Sequence, residues 1–240
     1  MSEVVWHDVE CGAYREDLPL WRELASVEAG PVLDVGAGVG RVALDLAAHG
    51  HDVTALDREP PLLAELGSRA AAAGVEVRTT VADAAGFELP GPPFGLIIVP
   101  MQTIQLLPGR AARAAFLGSA REHLAPGGLV ALALSEELRA FEVDPAEPLP
   151  PDVGERDGWR YLSFPVAIRP RGDVVVLERV RQAIAPDGSA STAEDAIELA
   201  ALTAPQLEAE GAAAGFRPEP RARIAETDAH LGATVVMVRG

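Results

Sequence analysis

The sequence contains no lysine and no asparagine, and all twenty of its basic residues are arginine. Lys and Asn are encoded by AT-rich codons, while the abundant Ala, Gly, Pro and Arg are GC-rich. The imbalance therefore reads as genome bias, and the Ala and Arg content carries no functional weight. Without lysine, Schiff-base chemistry from a lysine amine is excluded. The single cysteine, Cys11, cannot form an internal disulfide, and no Cys/His cluster offers a metal site, so no metal is expected. No apolar stretch approaches the ~18 residues of a membrane span. The opening Met1-Ser-Glu-Val-Val-Trp-His-Asp8 lacks the basic start and apolar core of a signal peptide. Positive charge is scarce: 36 acidic residues face 20 basic ones, a formal charge of −16. Such a balance repels phosphate backbones and argues against nucleic acid as a partner. The expectation is a soluble, cytoplasmic monomer or homodimer with no membrane partner.

The 240 residues are 48% hydrophobic and 23% charged, the proportions of a globular chain forming one large domain or a domain with an insertion. After a polar leader with a helix over Leu18–Ala29, short apolar strands are expected at Pro31–Val35, Val53–Leu56, Val75–Val81, Leu96–Val99 and Leu129–Leu134. Helices are expected at Arg41–Ala48, Pro60–Ala73 and Arg110–Leu124, bounded by Gly50, Gly74 and the Pro126-Gly-Gly128 turn. Strands alternating with helices at this spacing imply right-handed crossovers and a doubly wound α/β fold with a parallel sheet.

The texture changes after Leu134. Ser135–Gly158, rich in Pro and acid, reads as a loop. Three strands follow at Trp159–Arg169, Val174–Ile184 and Ser191–Leu202, joined by Pro170-Arg-Gly-Asp173 and Pro186-Asp-Gly188. Turns this short join antiparallel strands, so an antiparallel meander is appended to the parallel sheet. Thr203-Ala-Pro-Gln206 has capping-box spacing and opens a last helix ending near Gly215. Closing strands follow at Arg221–Ala225 and Thr234–Val238. The chain divides accordingly into a cap segment at 1–30, a core at 31–134 and 203–240, and an inserted loop and β cover at 135–202.

The loop after the first strand is the most informative stretch. Gly36, Gly38 and Gly40 remove side chains where the backbone must turn sharply against a ligand, and Asp57 follows the second strand, where a carboxylate can accept both ribose hydroxyls. Taken alone, the loop leaves the cofactor open. Gly38-Val-Gly40-Arg-Val-Ala43 also satisfies the dinucleotide fingerprint, which would make the protein an NAD(P)-dependent oxidoreductase.

More of the chain bears on the choice. Val32-Leu-Asp-Val-Gly-Ala-Gly-Val-Gly40 resembles the first motif of class I S-adenosylmethionine-dependent methyltransferases. The resemblance continues through Gly50-His-Asp-Val-Thr-Ala-Leu-Asp57, Val81-Ala-Asp83-Ala84, Phe94-Gly-Leu-Ile-Ile-Val99, Leu124-Ala-Pro-Gly-Gly-Leu-Val130 and Ala213-Ala-Gly-Phe216. The leader Tyr14-Arg-Glu-Asp-Leu-Pro-Leu-Trp21 resembles one seen ahead of the glycine loop in bacterial members. The resemblance implies a seven-stranded Rossmann-like sheet, S-adenosylmethionine as cofactor, and methyl transfer to O or N of a small molecule. A non-catalytic protein that binds the same cofactor is the other alternative.

Carried over by position, the resemblance implies that Gly36, Ala37, Gly38 and Gly40 lie under the methionine part of the cofactor. Asp34 would fix the loop or meet the cofactor's amino group. Asp57 would hold the ribose diol, with Arg58 beside the adenine; Asp83 would accept from the adenine amino group, and the Ala84 backbone would contact the ring. Val99, Pro100 and Met101 would border the sulfonium. Tyr14 would close over the cofactor or pack in the core. Gln102, Gln105, Trp159 and Tyr161 are candidate walls of an acceptor pocket, or core and surface filler. None of His7, His49, His51, His123 or His230 is assigned as a base. Two departures stand out: Gly95 replaces an acidic residue common at that strand start, with consequences for packing, and Val99-Pro-Met-Gln102 is not the N-P-P-Y or D-P-P-Y of amino-methylating nucleic-acid enzymes.

Overall fold

The computed structural model describes residues 3–136, 138–144, 146–147, 149–227 and 230–240; positions 1, 2, 137, 145, 148, 228 and 229 lie outside the described residues. In chain order the elements are α1 (Glu3–Cys11), α2 (Leu18–Val27), β1 (Val32–Val35), α3 (Arg41–Ala48), β2 (Val53–Asp57), α4 (Pro60–Ala73) and β3 (Val77–Val81). They continue with β4 (Phe94–Val99), α5 (Thr103–Leu106), α6 (Gly109–His123), β5 (Leu124–Leu134), β6 (Phe141–Glu142), β7 (Asp152–Arg156) and β8 (Trp159–Arg171). The last are β9 (Val174–Ile184), β10 (Ala190–Ala200), α7 (Ala204–Ala213), β11 (Arg217–Ile224) and β12 (Ala233–Arg239). The chain divides into two compact units, one of residues 15–136 with 202–240 and one of residues 1–14 with 137–201.

In the larger unit, β1 and β4 are buried at every position, as strands covered on both faces must be. They sit at the centre of a seven-stranded sheet of order β11-β12-β5-β4-β1-β2-β3, in which β12 alone runs against its neighbours. Helix boundaries follow local chemistry. Pro60 fits the first turn of α4, where no intrahelical amide is needed, and Gly74 ends that helix in the left-handed region at φ +67. Thr203 and Gln206 form the expected capping box on α7. The buried Arg113 of α6 pairs in bidentate fashion with Glu210 of α7 at 2.7 and 2.8 Å. Gly95 has a packing role: a Cβ there would lie 1.7 Å from the carbonyl oxygen of Ala29, so the chain entering β1 crosses β4 only because no side chain intervenes.

In the smaller unit, β8, β9 and β10 form the expected antiparallel meander, with Gly172 and Gly188 at positive φ in the turns. Its sheet has five strands rather than three. Within the segment read as a loop, β6 and β7 pair with successive halves of β8, on either side of a register shift between Pro165 and Ala167. The leader also holds a helix that the sequence reading omits. In α1, Val5, Trp6 and Val9 pack on Ala183 and Tyr161, and Glu10 accepts from Arg181 and Ser163.

Candidate functional site

Strand order puts a crevice in the larger unit. The chain runs from β1 outward through β2 to β3, then crosses to the other side of β1 to lay down β4 and β5. The reversal lies between β1 and β4, and open α/β sheets take ligands outside the carboxyl ends of strands at such a point. Parallel registers align Val35 with Leu56, Asp57 with Val81, and Asp34 with Ile98. The segments 36–40, 57–58, 82–84 and 100–102 therefore leave the sheet at one edge. A cleft of about 850 Å³ lies at the opposite edge, by His51, Gly74 and Arg78 at the amino ends of β2 and β3, and takes no part in this arrangement.

Glycine is required by geometry at the loop after β1. Gly36, Gly38 and Gly40 have φ of +73, +56 and +90. A Cβ on Gly36 would also lie 2.4 Å from Cγ2 of Thr103, so the loop after β1 rests directly on the start of α5. Four of the loop's amides are bound within the protein. The N–H groups of Gly36 and Ala37 donate to the Leu56 carbonyl at 2.8 and 3.0 Å, that of Gly38 to Oδ2 of Asp57 at 2.8 Å, and that of Gly40 to the Ala37 carbonyl at 2.9 Å. A pyrophosphate cradle needs such donors free to face the anion. Here the amides of Gly36, Ala37, Gly38 and Gly40 are spent on the protein, so the loop does not make a pyrophosphate cradle.

The charges beside the loop point the same way. Asp34, at the end of β1, is buried, and neither of its carboxyl oxygens has a hydrogen-bond partner. Burial pushes its pKa up to about 7; the Arg41 guanidinium and the Ala43 amide at the start of α3 oppose that rise, while the carboxylates of Asp17 and Asp57 add to it. Arg41 donates from its two terminal nitrogens to Asp17 at 2.5 and 2.7 Å, and Trp21 Nε1 donates to the same carboxylate at 2.9 Å. Three buried acids, Asp17, Asp34 and Asp57, thus share a neighbourhood with one guanidinium. Surplus buried negative charge with an unpartnered carboxylate fits a cation. The ammonium and sulfonium groups of S-adenosylmethionine are cations, so these residues fit that cofactor.

The other expected residues fall as follows. Asp57 also accepts the Glu59 amide at 3.0 Å, and its own carbonyl accepts the Ala82 amide, which joins the ends of β2 and β3. Arg58 is exposed beside Glu59. Asp83 is exposed and accepts the Ala85 amide, with Ala84 half-buried in the same turn. Val99 and Pro100 are buried. Met101 follows at φ +55, a conformation that non-glycine residues seldom adopt and that concentrates at functional sites. Gln102 donates to the Ser135 hydroxyl, and Gln105 is buried in a reciprocal pair with the Ser135 backbone, so both bind α5 to the end of β5. Tyr14, Trp159 and Tyr161 belong to the smaller unit; Tyr14 is buried, and Tyr161 lies between Trp6, edge-on at 5.5 Å, and the more exposed Trp159, stacked at 6.4 Å. Among the histidines, His123 accepts the Leu89 amide, and His49 lies against the Asp45 carbonyl.

Sequence reasoning missed Asp17, Trp21 and Arg41. Asp17 precedes Leu18-Pro19 and has the look of an ordinary N-cap, yet its carboxylate makes no cap bond and turns inward to Arg41. The signal was its place in the Tyr14–Trp21 leader, four residues before a tryptophan that needs an acceptor. Among the described residues, no group of three His, Cys, Asp or Glu could hold a metal, and no helix is long and apolar enough to cross a membrane.

Residues 32–128 match a protein-family model described as a methyltransferase domain. Across the whole chain, the fold is similar to that of the CcbJ methyltransferase from Streptomyces caelestis, with a TM-score of 0.74 and 20% identity, covering 98% of this chain and 95% of that one. CalS10, an amino pentose methyltransferase from Micromonospora echinaspora with S-adenosylmethionine bound, has a TM-score of 0.71 and 21% identity, covering 100% and 98%. The sugar N-methyltransferase KedS8 of a Streptoalloteichus species has a TM-score of 0.71 and 21% identity, covering 98% and 91%. A search of curated protein sequences finds no match.

Proposed function

We infer that this chain, an enzyme with a class I S-adenosylmethionine-dependent methyltransferase domain, methylates an amino nitrogen of an amino sugar or of a glycosylated small molecule. The observation that carries the cofactor reading is the unpartnered, buried Asp34 beside a glycine loop in which the amides of Gly36, Ala37, Gly38 and Gly40 are already bonded within the protein. The acceptor class is supported by the full-length likeness to enzymes named for amino pentose and sugar nitrogen. Acidic net charge and the Val99-Pro-Met-Gln102 sequence support an acceptor other than nucleic acid. A lone cysteine, which cannot form an internal disulfide, supports a cytoplasmic location.

In this reading Asp34 holds the cofactor's ammonium group, and the Gly36, Ala37, Gly38 and Gly40 backbone lies beneath its methionine part. Asp57 takes the ribose hydroxyls, while Arg58, Asp83 and Ala84 surround the adenine. Val99, Pro100 and Met101 border the sulfonium. Gln102 and Gln105, at the start of α5, belong with the acceptor pocket. When bound, the cofactor supplies a methyl group that a nitrogen lone pair displaces from sulfur. The chain's share is to hold the reactants in line and exclude water, which is where positioning contributes most.

The test is a turnover assay with S-adenosylmethionine and amino sugars, hydroxy sugars and glycosylated peptides as acceptors, read by mass spectrometry of the product. Methylation of amine acceptors alone supports the reading. Methylation at hydroxyl alone replaces it with O-transfer. Cofactor binding with no turnover across the panel favours a non-catalytic binding protein.

A further inference from the structure

Asp17 occupies the N-cap position of α2 and caps nothing. It is fully buried, and it receives three hydrogen bonds, two from Arg41 and one from Trp21. Arg41 is the residue directly after Gly40, so its side chain leaves from the glycine loop itself. Its charge is also the one that favours ionisation of Asp34, whose oxygens nonetheless have no hydrogen-bond partner. Two buried acids therefore stand near one guanidinium, and one of them holds its paired donors. A guanidinium presents planar donors that match any carboxylate within reach, and the bidentate grip of Asp17, steadied by Trp21, decides which carboxylate receives them.

We propose that Asp17 is a positioning residue for the cofactor: by holding Arg41 in a bidentate pair, it keeps Asp34 unpaired and open to the cofactor's ammonium group. The proposal rests on the S-adenosylmethionine reading above. Without Asp17, Arg41 turns to Asp34 and closes the carboxylate that the cofactor needs. The protein remains folded, since the guanidinium finds a second acid.

The experiment compares the wild-type protein, Asp17→Asn, and the double variant Asp17→Asn with Arg41→Met. Each is titrated calorimetrically with S-adenosylmethionine, and each unliganded protein is unfolded thermally between pH 5 and 8. Loss of one charge-assisted contact predicts roughly 10- to 100-fold weaker binding for Asp17→Asn. Removal of Arg41 as well removes the competitor, so the double variant recovers most of that loss. In the unliganded state, Asp34 faces Arg41, Asp17 and Asp57, and its protonation gives the wild type a stability that declines as pH rises toward 7. That decline disappears in Asp17→Asn, because a paired Asp34 stays ionised.

Wild-type affinity in Asp17→Asn overturns the proposal. So does a double variant no better than the single one, which would make Asp17 a structural prop. Should Asp17→Asn fail to fold, the double variant decides alone: retained binding supports the proposal, and lost binding overturns it. A wild-type protein that ignores S-adenosylmethionine refutes the cofactor reading instead. The pH dependence of the unliganded proteins still reports whether Asp17 keeps Arg41 from Asp34.

Discussion

Replacing Asp34 with asparagine separates what the residue costs the empty protein from what it does for the ligand. Its carboxyl is raised from an ordinary 3.8 to about 7, chiefly by burial. At about 1.4 kcal/mol per tenfold change in proton affinity, holding the charged form there costs roughly 4 kcal/mol. The sign follows from linkage. Between pH 4 and 7 the folded chain keeps a proton that the unfolded chain has lost, so this group's stabilising contribution is complete below pH 4 and is lost as pH rises through 7. Asp34→Asn removes the titration. The asparagine side chain brings its own burial cost, but that cost does not vary with pH. The stability of Asp34→Asn relative to wild type should therefore increase by about 2.5 kcal/mol from pH 5 to pH 7.5, and urea unfolding at both pH values measures it. At the same time, calorimetry should show S-adenosylmethionine binding weakened roughly 10- to 100-fold through loss of a charged acceptor. A stability difference that stays constant with pH would refute the placement of an uncompensated carboxyl at position 34. Unchanged affinity would refute its part in holding the cofactor.

Gly36→Ala places a Cβ at φ +73 and 2.4 Å from Thr103, so both stability and cofactor affinity should fall, the backbone alone costing about 1–2 kcal/mol; adding Thr103→Ala should return part of the loss in thermal unfolding, and no recovery would mean the contact is not the cause. Gly95→Ala, with a Cβ 1.7 Å from the Ala29 carbonyl, should destabilise by about 3 kcal/mol while the folded fraction binds cofactor normally, because Gly95 lies at the opening end of β4. Arg113→Met leaves the buried Glu210 carboxylate unpaired and should cost about 3–5 kcal/mol in chemical denaturation, whereas Arg113→Met with Glu210→Met should be close to wild type.

The sequence was most legible where local chemistry sets the backbone. The bounds of α3 and α4 match the expectation, because glycine at positive φ and proline in the first turn act within a few residues of the ends they define. The central strands were equally plain, since full burial on both faces demands an uninterrupted apolar run. Elements that depend on distant partners were not legible. Val4, Val5, Trp6 and Val9 are the buried apolar residues of α1, and the last three gain meaning against Ala183 and Tyr161, far away in the chain. Strands β6 and β7 expose most of their side chains and exist as partners of β8, so no alternation betrays them.

The candidate site divides along the same line. Its glycines and the acids at 34 and 57 could be read from the motif, but the motif fits a dinucleotide and a sulfonium nucleoside alike. What distinguishes the two is the sign of the charge that the loop can receive, and that depends on where its amide hydrogens point. Leu56 and Asp57, some twenty residues further along the chain, take three of those hydrogens. Asp17, which precedes the loop, takes the paired donors of the nearest guanidinium. With the amides of Gly36, Ala37 and Gly38 and the paired donors of Arg41 taken in this way, they are not left for a phosphate, and Asp34 is left for a cation. The discrimination thus lies less in the residues of the motif than in the neighbours that exhaust its donors.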